Sequence, residues 1–462
     1  MFDDIQDVYR EIRAHFKGTL LRPHDADYGK IAPVWNGMFK RRPGIIARCN
    51  DIADIQNCLR VVTQSNVVSA VRCGGHSLAG LSTCHDGLVI DLSAFREVQV
   101  DPTERKARFG GGCLLGTVDS TTQMEGLAFP SGVVSHTGAG GLVLGGGTGW
   151  LSRLYGLSCD NVEGFTLITA DGSVLRANAR ENSDLFWALR GGGGNFGIVT
   201  EFEVRLHPVS GVILGRGLCV GDAIVRLLQY WREFMPDAPD NLRWGFSLRN
   251  AAGLTPLPGA KGLPVASTSA LWVGDLEQGL NQVNHALTAA EHRYMSVQEM
   301  SFLTLQTLAD SDFPRGRRYY TKSGYFQTLG DDAIYKMIDS LATMPSRFSE
   351  IELTYLGAAP ARVSADETAF GDRSAPFVVN ILSNWIRPDE DEANIAWTRD
   401  LFCRLRPAMA PGVYVNFMSG DEDDRVPEAY RDRWERLRAI KAAYDPHNFF
   451  RLNQNIPPRR QQ

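Results

Sequence analysis

Paired cysteines, long apolar runs and an excess of either charge are all missing from this 462-residue sequence. Its eight cysteines (Cys49, Cys58, Cys73, Cys84, Cys113, Cys159, Cys219 and Cys403) are scattered with no CxxC pair, and its nine histidines show no HExxH. That spacing excludes a disulfide scaffold and a zinc site with paired ligands, and it predicts reduced, mostly buried thiols. No metal is expected. No apolar run reaches the roughly 18 residues of a membrane-crossing helix, so no membrane partner is expected either. The opening MFDDIQDVYREIRAHF is acidic and amphipathic without an apolar h-region, which reads as no secretory leader and a cytoplasmic location. Lys and Arg number 48 against 53 Asp and Glu. Without a broad basic field, nucleic-acid binding drops out. Hydrophobic residues make up 44% and charged residues 22%, a globular balance that excludes disorder, coiled coil and collagen. The length suits two or three domain-sized units, and no internal repeat is visible.

Glycine is what the sequence does have, and it is unevenly spread. Gly138 to Gly149 reads GAGGLVLGGGTG, and GGGGNFG follows at Gly191 to Gly197. Apolar residues flank both clusters, so they read as backbone pressed against something that a Cβ would strike. Around them the first half alternates helix and strand. Asn50-Asp51 caps a helix with the stripe Ile52, Ile55, Leu59 and Val62. VVSAV and GLVIDLS read as strands, the first running into the turn CGGHS. EVQVDPTERKARFGGG reads as a hairpin around Asp101-Pro102, and FTLITADGSVLRA as another around Asp171-Gly172. Thr117 to Glu125 reads as a helix stopped by Gly126. SDLFWAL is a short helix with Ser183 as its cap, and EFEVRLHPV is a half-exposed strand.

From about 210 to 412 the pattern changes. Helical stretches (AIVRLLQYWREF, GLNQVNHALTAAEHR, DDAIYKMIDSLATM) alternate with strand-like runs (TSALWVG, FVVNILSNW), which predicts an antiparallel sheet backed by helices. A Pro/Gly-rich loop, LTPLPGAKGLP, interrupts it. Then come a strand-like VYVNF, an acidic loop, and a helix opened by Pro427 with the stripe Tyr430, Trp434, Leu437, Ile440 and Tyr444. The chain closes on the turn-rich YDPHNFFRLNQNIPP.

Neither glycine cluster follows a first strand in the way a nicotinamide-type GxGxxG requires, and no GK[ST] marks a P-loop. An extended anionic ligand held by amides from several loops remains, and a dinucleotide pyrophosphate fits. Five segments in order, RCGGHSLAG, GLVIDLS, GVVSHTGAGGLVLGGGTGWLSRLYGLSCDNV, DLFWALRGGGGNFGIVT and YDPHNFFRLNQNI, resemble the FAD-linked oxidoreductases with a p-cresol methylhydroxylase type of FAD domain. The branch they resemble is that of berberine bridge enzyme and 6-hydroxy-D-nicotine oxidase. The resemblance covers about 40 to 208 and about 412 to 457. It implies an α+β fold: a two-part FAD-binding domain of the vanillyl-alcohol oxidase/p-cresol methylhydroxylase type, and a substrate domain with an antiparallel sheet backed by helices. The expected divisions are 1–208 for the FAD domain, 209–412 for the substrate domain and 413–462 for a segment returning to the FAD domain.

The resemblance further implies FAD attached covalently through His76. The second link of many relatives comes from a Cys at the position of Val134, which has no nucleophile, so a single link is implied. His136 is a loop residue near the cofactor with no assigned role, and Cys159 is a small buried thiol. The cradle is implied to comprise Arg72, Gly74, Gly75, Ser77 and Gly80 around His76. It continues with Gly132, Gly138, Gly141, Gly145, Gly146, Gly149, Asp160 and Asn161, then Gly194, Asn195, Gly197, Ile198 and Val199. Asn416, Asn453 and Asn455 close it from the C-terminal segment.

On the substrate side the family pattern is broken. The catalytic Tyr of many relatives falls at Phe417 in Tyr414-Val415-Asn416-Phe417, and the Glu base of berberine bridge enzyme falls at Asn380, whose amide takes no proton. Tyr155, Asn380, Tyr414 and Phe417 are the expected reaction-site residues. Tyr355, Tyr319, Tyr320 and Glu352 are further sources of a phenol or carboxylate, each read first as structural. A neutral amine needs no base to lose hydride, so the departures favour amine oxidation with O2 as acceptor, giving H2O2. Oxidation of a hydroxyl on a sugar or secondary metabolite is the alternative, and a non-redox flavoprotein cyclase or binding protein is a third. The partners expected are a small-molecule substrate and O2, with the chain a monomer or homodimer.

Overall fold

Short strands of β-branched residues build the first sheet. In the computed structural model, which describes residues 4–251 and 263–459, Thr19–Leu21, Ile45–Arg48, Leu88–Asp91 and Ser69–Arg72 lie side by side in that order. The last three are parallel, and the helix Ile52–Val62 crosses between two of them. Asp51 caps that helix by accepting from Asp54 N at 3.0 Å. Its stripe Ile55, Leu59 and Val62 is buried against Ile45, Leu88 and Ile90.

The two expected hairpins form a second, antiparallel sheet in the order Val98–Asp101, Lys106–Gly110, Ile198–Arg205, Val162–Ile168, Val174–Asn178. Alternation along the central strand buries Phe202 and Val204 beside Phe109 and Phe165. The C-terminal segment returns to this core, where Val413, Val415, Tyr430, Leu437 and Ile440 pack.

The middle of the chain makes a seven-stranded, wholly antiparallel sheet. Its order is Tyr294–Met300, Val212–Val220, Pro264–Val273, Leu242–Asn250, Glu350–Tyr355, Phe377–Trp385, Arg318–Phe326. Period-2 alternation gives it two different faces. Trp244, Phe246, Ile351, Leu353, Val379 and Ile381 pack beneath the helices Ala223–Phe234, Leu276–Leu287, Asp331–Ser340 and Asp391–Leu405. The intervening residues, among them Arg243, Glu352 and Asn380, face the other way.

Three local expectations fail. Ser183 is the first helical residue of Ser183–Leu189, because Asn182 takes the cap position with φ 48° and without a side-chain cap bond. VYVNF is no strand: Val415–Phe417 is a 3-10 turn. With no strand beside it, it gains no ladder, and its polar groups bond to the glycine loop instead, Asn416 Nδ2 to the Leu142 carbonyl at 3.0 Å. The helix after Pro427 breaks at Arg431 (φ 49°) into Val426–Tyr430 and Trp434–Tyr444. Residues 254–262 of the Pro/Gly-rich loop lie outside the described residues.

Candidate active site

Between the glycine-rich loops and the polar face of the large sheet lies a cavity of about 400 Å³. The loop wall is built by contacts that only glycine allows. A Cβ on Gly74 would stand 2.4 Å from Gly138 N, and one on Gly138 would stand 2.3 Å from Gly74 N. The turn Cys73–Ser77 and the Gly138 loop therefore touch backbone to backbone, and Gly75 takes φ +71° to place His76. The N–H groups of Gly75, His76, Ser77 and Leu78 find no acceptor among the described residues. Consecutive unpaired amides of this kind form a nest for an anion. At Gly141 and Gly194 an added Cβ would meet nothing within 4 Å, since the space in front of them is the cavity.

His76 is held on three sides. Its Nε2 lies 2.7 Å from His136 Nδ1, and its Nδ1 lies 3.4 Å from Thr137 Oγ1. Its ring stacks on Trp35 at 4.5 Å, and Trp35 stacks in turn on Tyr319 at 3.7 Å. Removal from water, with His136 and Arg315 nearby, keeps its pKa well below the usual imidazole range. The ring is thus neutral at pH 7, with a lone pair available.

Four buried oxygens on the lining have no partner among the described residues: Ser69 Oγ, Ser82 Oγ, the Tyr430 hydroxyl and Asn453 Oδ1. Buried polar groups are rarely left so, and a polar ligand would satisfy them. Together with the amide nest and the space before Gly141 and Gly194, they fit a nucleotide cofactor lying along the loops.

Among the described residues, the sheet wall carries the only charged side chains of the lining, Arg243 and Glu352. Glu352 lies in register with Asn380 on the next strand. Burial raises its pKa, the nearby Glu350 raises it further, and Arg243 and the Asn380 amide lower it in part. Glu350 itself is neutralised by Arg249, Nε to Oε2 at 2.9 Å.

The lining holds many of the expected residues: Gly74, Gly75, His76, Ser77, Gly132, Val134, Gly138, Gly141, Gly149, Gly194, Asn195, Gly197, Ile198, Val199, Asn416 and Asn453, with Asn380, Tyr414 and Phe417 on the substrate side. Tyr414 uses its hydroxyl on the loop, where it accepts from Gly147 N at 2.9 Å and Asn416 Nδ2 at 2.8 Å.

Other expected residues stand outside the lining. Tyr155 stacks on His207 at 3.9 Å and is turned from the cavity. Arg72 is bound to Asp91 at 2.8 Å and to the Ile31 carbonyl. Gly80 sits under the Phe39 ring, Gly145 under the Asn416 amide and Gly146 against Phe370. Asp160 is gripped by Arg373 at 2.6 and 2.9 Å. Asn161 bonds to His207 at 2.7 Å, and Asn455 keeps a buried Oδ1 without a partner. Six of these (Arg72, Gly80, Gly145, Gly146, Asp160 and Asn161) shape the cradle from behind. Of the extra phenol and carboxylate candidates, only Glu352 reaches the cavity. Tyr319 donates to the Pro314 carbonyl at 2.7 Å, Tyr320 to Asp421 at 2.7 Å, and Tyr355 lies beneath the Arg153 guanidinium.

Comparison with known proteins agrees with this geometry. Residues 43–178 match the family model described as "FAD binding domain", and residues 413–457 that described as "Berberine and berberine like". An FAD-linked oxidoreductase of Dictyostelium discoideum is 30% identical over 457 residues, covering 98% of this chain and 97% of the relative. The chain belongs to the FAD-linked oxidoreductases. An (R)-6-hydroxynicotine oxidase of Paenarthrobacter nicotinovorans is 27% identical over 454 residues, 96% of this chain and 97% of that one. The crystal structure of 6-hydroxy-D-nicotine oxidase from Arthrobacter nicotinovorans superposes with a TM-score of 0.87 at 26% identity, over 96% of this chain and 98% of that one. This FAD-linked oxidoreductase has no helix, among its described residues, long and apolar enough to cross a membrane.

Proposed function

We propose that this enzyme oxidises a small amine at a carbon–nitrogen bond, with O2 as the final acceptor and with FAD joined through His76 alone. The observation that carries the reading is Glu352, the one carboxylate on the cavity lining among the described residues, where the positions of the family's usual bases hold Asn380 and Phe417. When bound, FAD supplies the two-electron acceptor, taking hydride at N5 and passing the electrons to O2 as H2O2. The protein's part is to present the substrate in the right protonation state. Most amines arrive at neutral pH as ammonium ions, which cannot release hydride. A buried carboxylate with a raised pKa attracts the ammonium, takes its proton and leaves the nitrogen lone pair free to expel hydride from the adjacent carbon. The iminium product then hydrolyses in water.

The His76 attachment is supported by the neutral ring, its anchoring by His136 and the absence of a second nucleophile at Val134. Anaerobic mixing with a panel of amines and alcohols tests the substrate reading. Amines should bleach the flavin absorbance. Bleaching by alcohols alone would make Glu352 the base of a hydroxyl oxidation, and no bleaching by either class would favour a non-redox role.

A further inference from the structure

Among the described residues, Arg243 is a guanidinium with no hydrogen-bond or ion-pair partner. Three other arginines with little exposure are ion-paired, Arg72 with Asp91, Arg249 with Glu350 and Arg373 with Asp160, and Arg153 is held by the Met235 and Ala238 carbonyls. Arg243 lines the cavity yet makes no hydrogen bond and no ion pair among the described residues. Its position is nonetheless fixed. The guanidinium lies over the Trp150 ring, 4.6 Å from its centroid. It folds back along its own strand across Gly245, where an added Cβ would stand 3.8 Å from Arg243 Nη1 and 3.8 Å from Thr354 Oγ1. Nη1 and Thr354 Oγ1 thus lie on the same side of the sheet at Gly245, and Thr354 shows the direction: toward Glu352, two residues along the neighbouring strand. Glu352 feels its charge without bonding to it. Burial works against the charged form, so five oriented N–H donors are held, unspent, in a place that disfavours a lone cation. The cofactor's phosphates do not need them, since the unpaired amides of Gly75 to Leu78 lie in the loop wall.

We propose that Arg243 is an anion subsite, and that the substrate carries a carboxylate beside its oxidisable amine. The carboxylate takes the guanidinium fork while the amine lies at Glu352, so a small zwitterion completes both charges of the lining. The placement of the amine rests on the amine-oxidation reading given above; the anion site itself does not.

The test is a binding measurement on the flavin-loaded enzyme that involves no turnover. Perturbation of the visible flavin spectrum is titrated with benzoate and phenylacetate, and in parallel with their neutral isosteres benzamide and phenylacetamide. The carboxylates should bind more tightly than the amides by about ten- to a hundred-fold, the range for charge-assisted hydrogen bonds. Arg243→Met should abolish that preference at unchanged flavin content, and Arg243→Lys should keep part of it. If Arg243→Met fails to load flavin, Arg243→Lys together with the wild-type preference for carboxylate over amide decides. Equal binding of carboxylate and amide by the wild type overturns the proposal, as does a variant that keeps benzoate affinity while its flavin midpoint potential shifts. Failure of the amine reading would leave the carboxylate preference intact, so the two can be told apart.

Discussion

Glu352 and Asn380 face one another in register across the strands Glu350–Tyr355 and Phe377–Trp385. Asn380 Oδ1 accepts from the Thr321 hydroxyl, which turns the amide NH2 toward Glu352. The Asn380 amide thus orients a carboxylate one strand away, the group that the proposed reading makes the base. Glu352→Gln should lower kcat by about 10²- to 10⁴-fold, the range for loss of a positioned base. The wild-type rate should climb with pH through a value above the ordinary carboxyl range, because the ionised form is the active one, and the variant should lose that limb. Stability moves oppositely. A raised folded-state pKa stabilises below the ordinary carboxyl pKa, and that contribution is lost as pH rises. Melting curves should therefore show the Gln variant more stable than wild type at alkaline pH.

The contact between Gly74 and Gly138 sets where His76 points. Acid precipitation should leave flavin in the wild-type pellet, and His76→Ala should release it to the supernatant. Gly138→Ala should do so in part, because its methyl would meet Gly74 N and Cys73 Sγ at 2.3 and 2.6 Å and push the turn aside. Val134→Cys offers a second nucleophile on the lining. Acid-stable flavin in His76→Ala would refute the attachment outright.

The cradle was legible in the sequence because its signal is local: glycine clusters, and the dipeptides that turn two hairpins. The sheet wall was legible only in part: Asn380 and Glu352 stood among several candidates, and no motif in the sequence singled out Arg243 or joined the three. Its residues alternate with core residues on strands far apart in the chain, so Arg243, Glu352 and Asn380 meet only through the register of the sheet. A hint existed. Arg243 and Gly245 interleave with Leu242, Trp244 and Phe246, and a charge on the face opposite an aromatic stripe asks what it faces. Trp35, which stacks on His76, had no pattern to announce it. Tyr155 was misplaced because its helix, Ser152–Tyr155, ends against His207 and not the cavity.

The C-terminal strap depends on a charge pair with no solvent exposure. Lys441 Nζ donates to Asp445 at 2.6 Å, to the Asn195 carbonyl at 2.7 Å and to the Phe450 carbonyl at 3.0 Å. Asp445 also accepts from Phe449 N and Phe450 N. This ties the closing segment to the Gly193–Asn195 turn of the cavity. Asp445→Asn strands a buried ammonium, which should cost about 3–5 kcal/mol in urea unfolding. It should also loosen the grip on FAD in the His76→Ala background.

Asp119 makes the folded enzyme sensitive to pH at a distance from the reaction. It sits wholly buried on the helix Leu115–Gln123, where Gln306 Nε2 reaches across from the helix Phe302–Thr307 to its Oδ2 at 2.8 Å and to the Gly132 carbonyl at 3.2 Å. Its Oδ1 has no partner, and burial raises its pKa to about 7. A folded pKa above the unfolded one gives stability that is full below the unfolded value and lost as pH rises through about 7. Linkage sets an upper bound of about 4 kcal/mol on that loss. The wild type should therefore lose Tm from about pH 4 to about pH 7, levelling off above, beyond what the rest of the protein accounts for. Asp119→Asn keeps an acceptor for Gln306 and cannot ionise, so it should flatten that fall and melt higher than wild type at pH 8. Parallel Tm profiles for the two proteins would show that the pH sensitivity arises elsewhere.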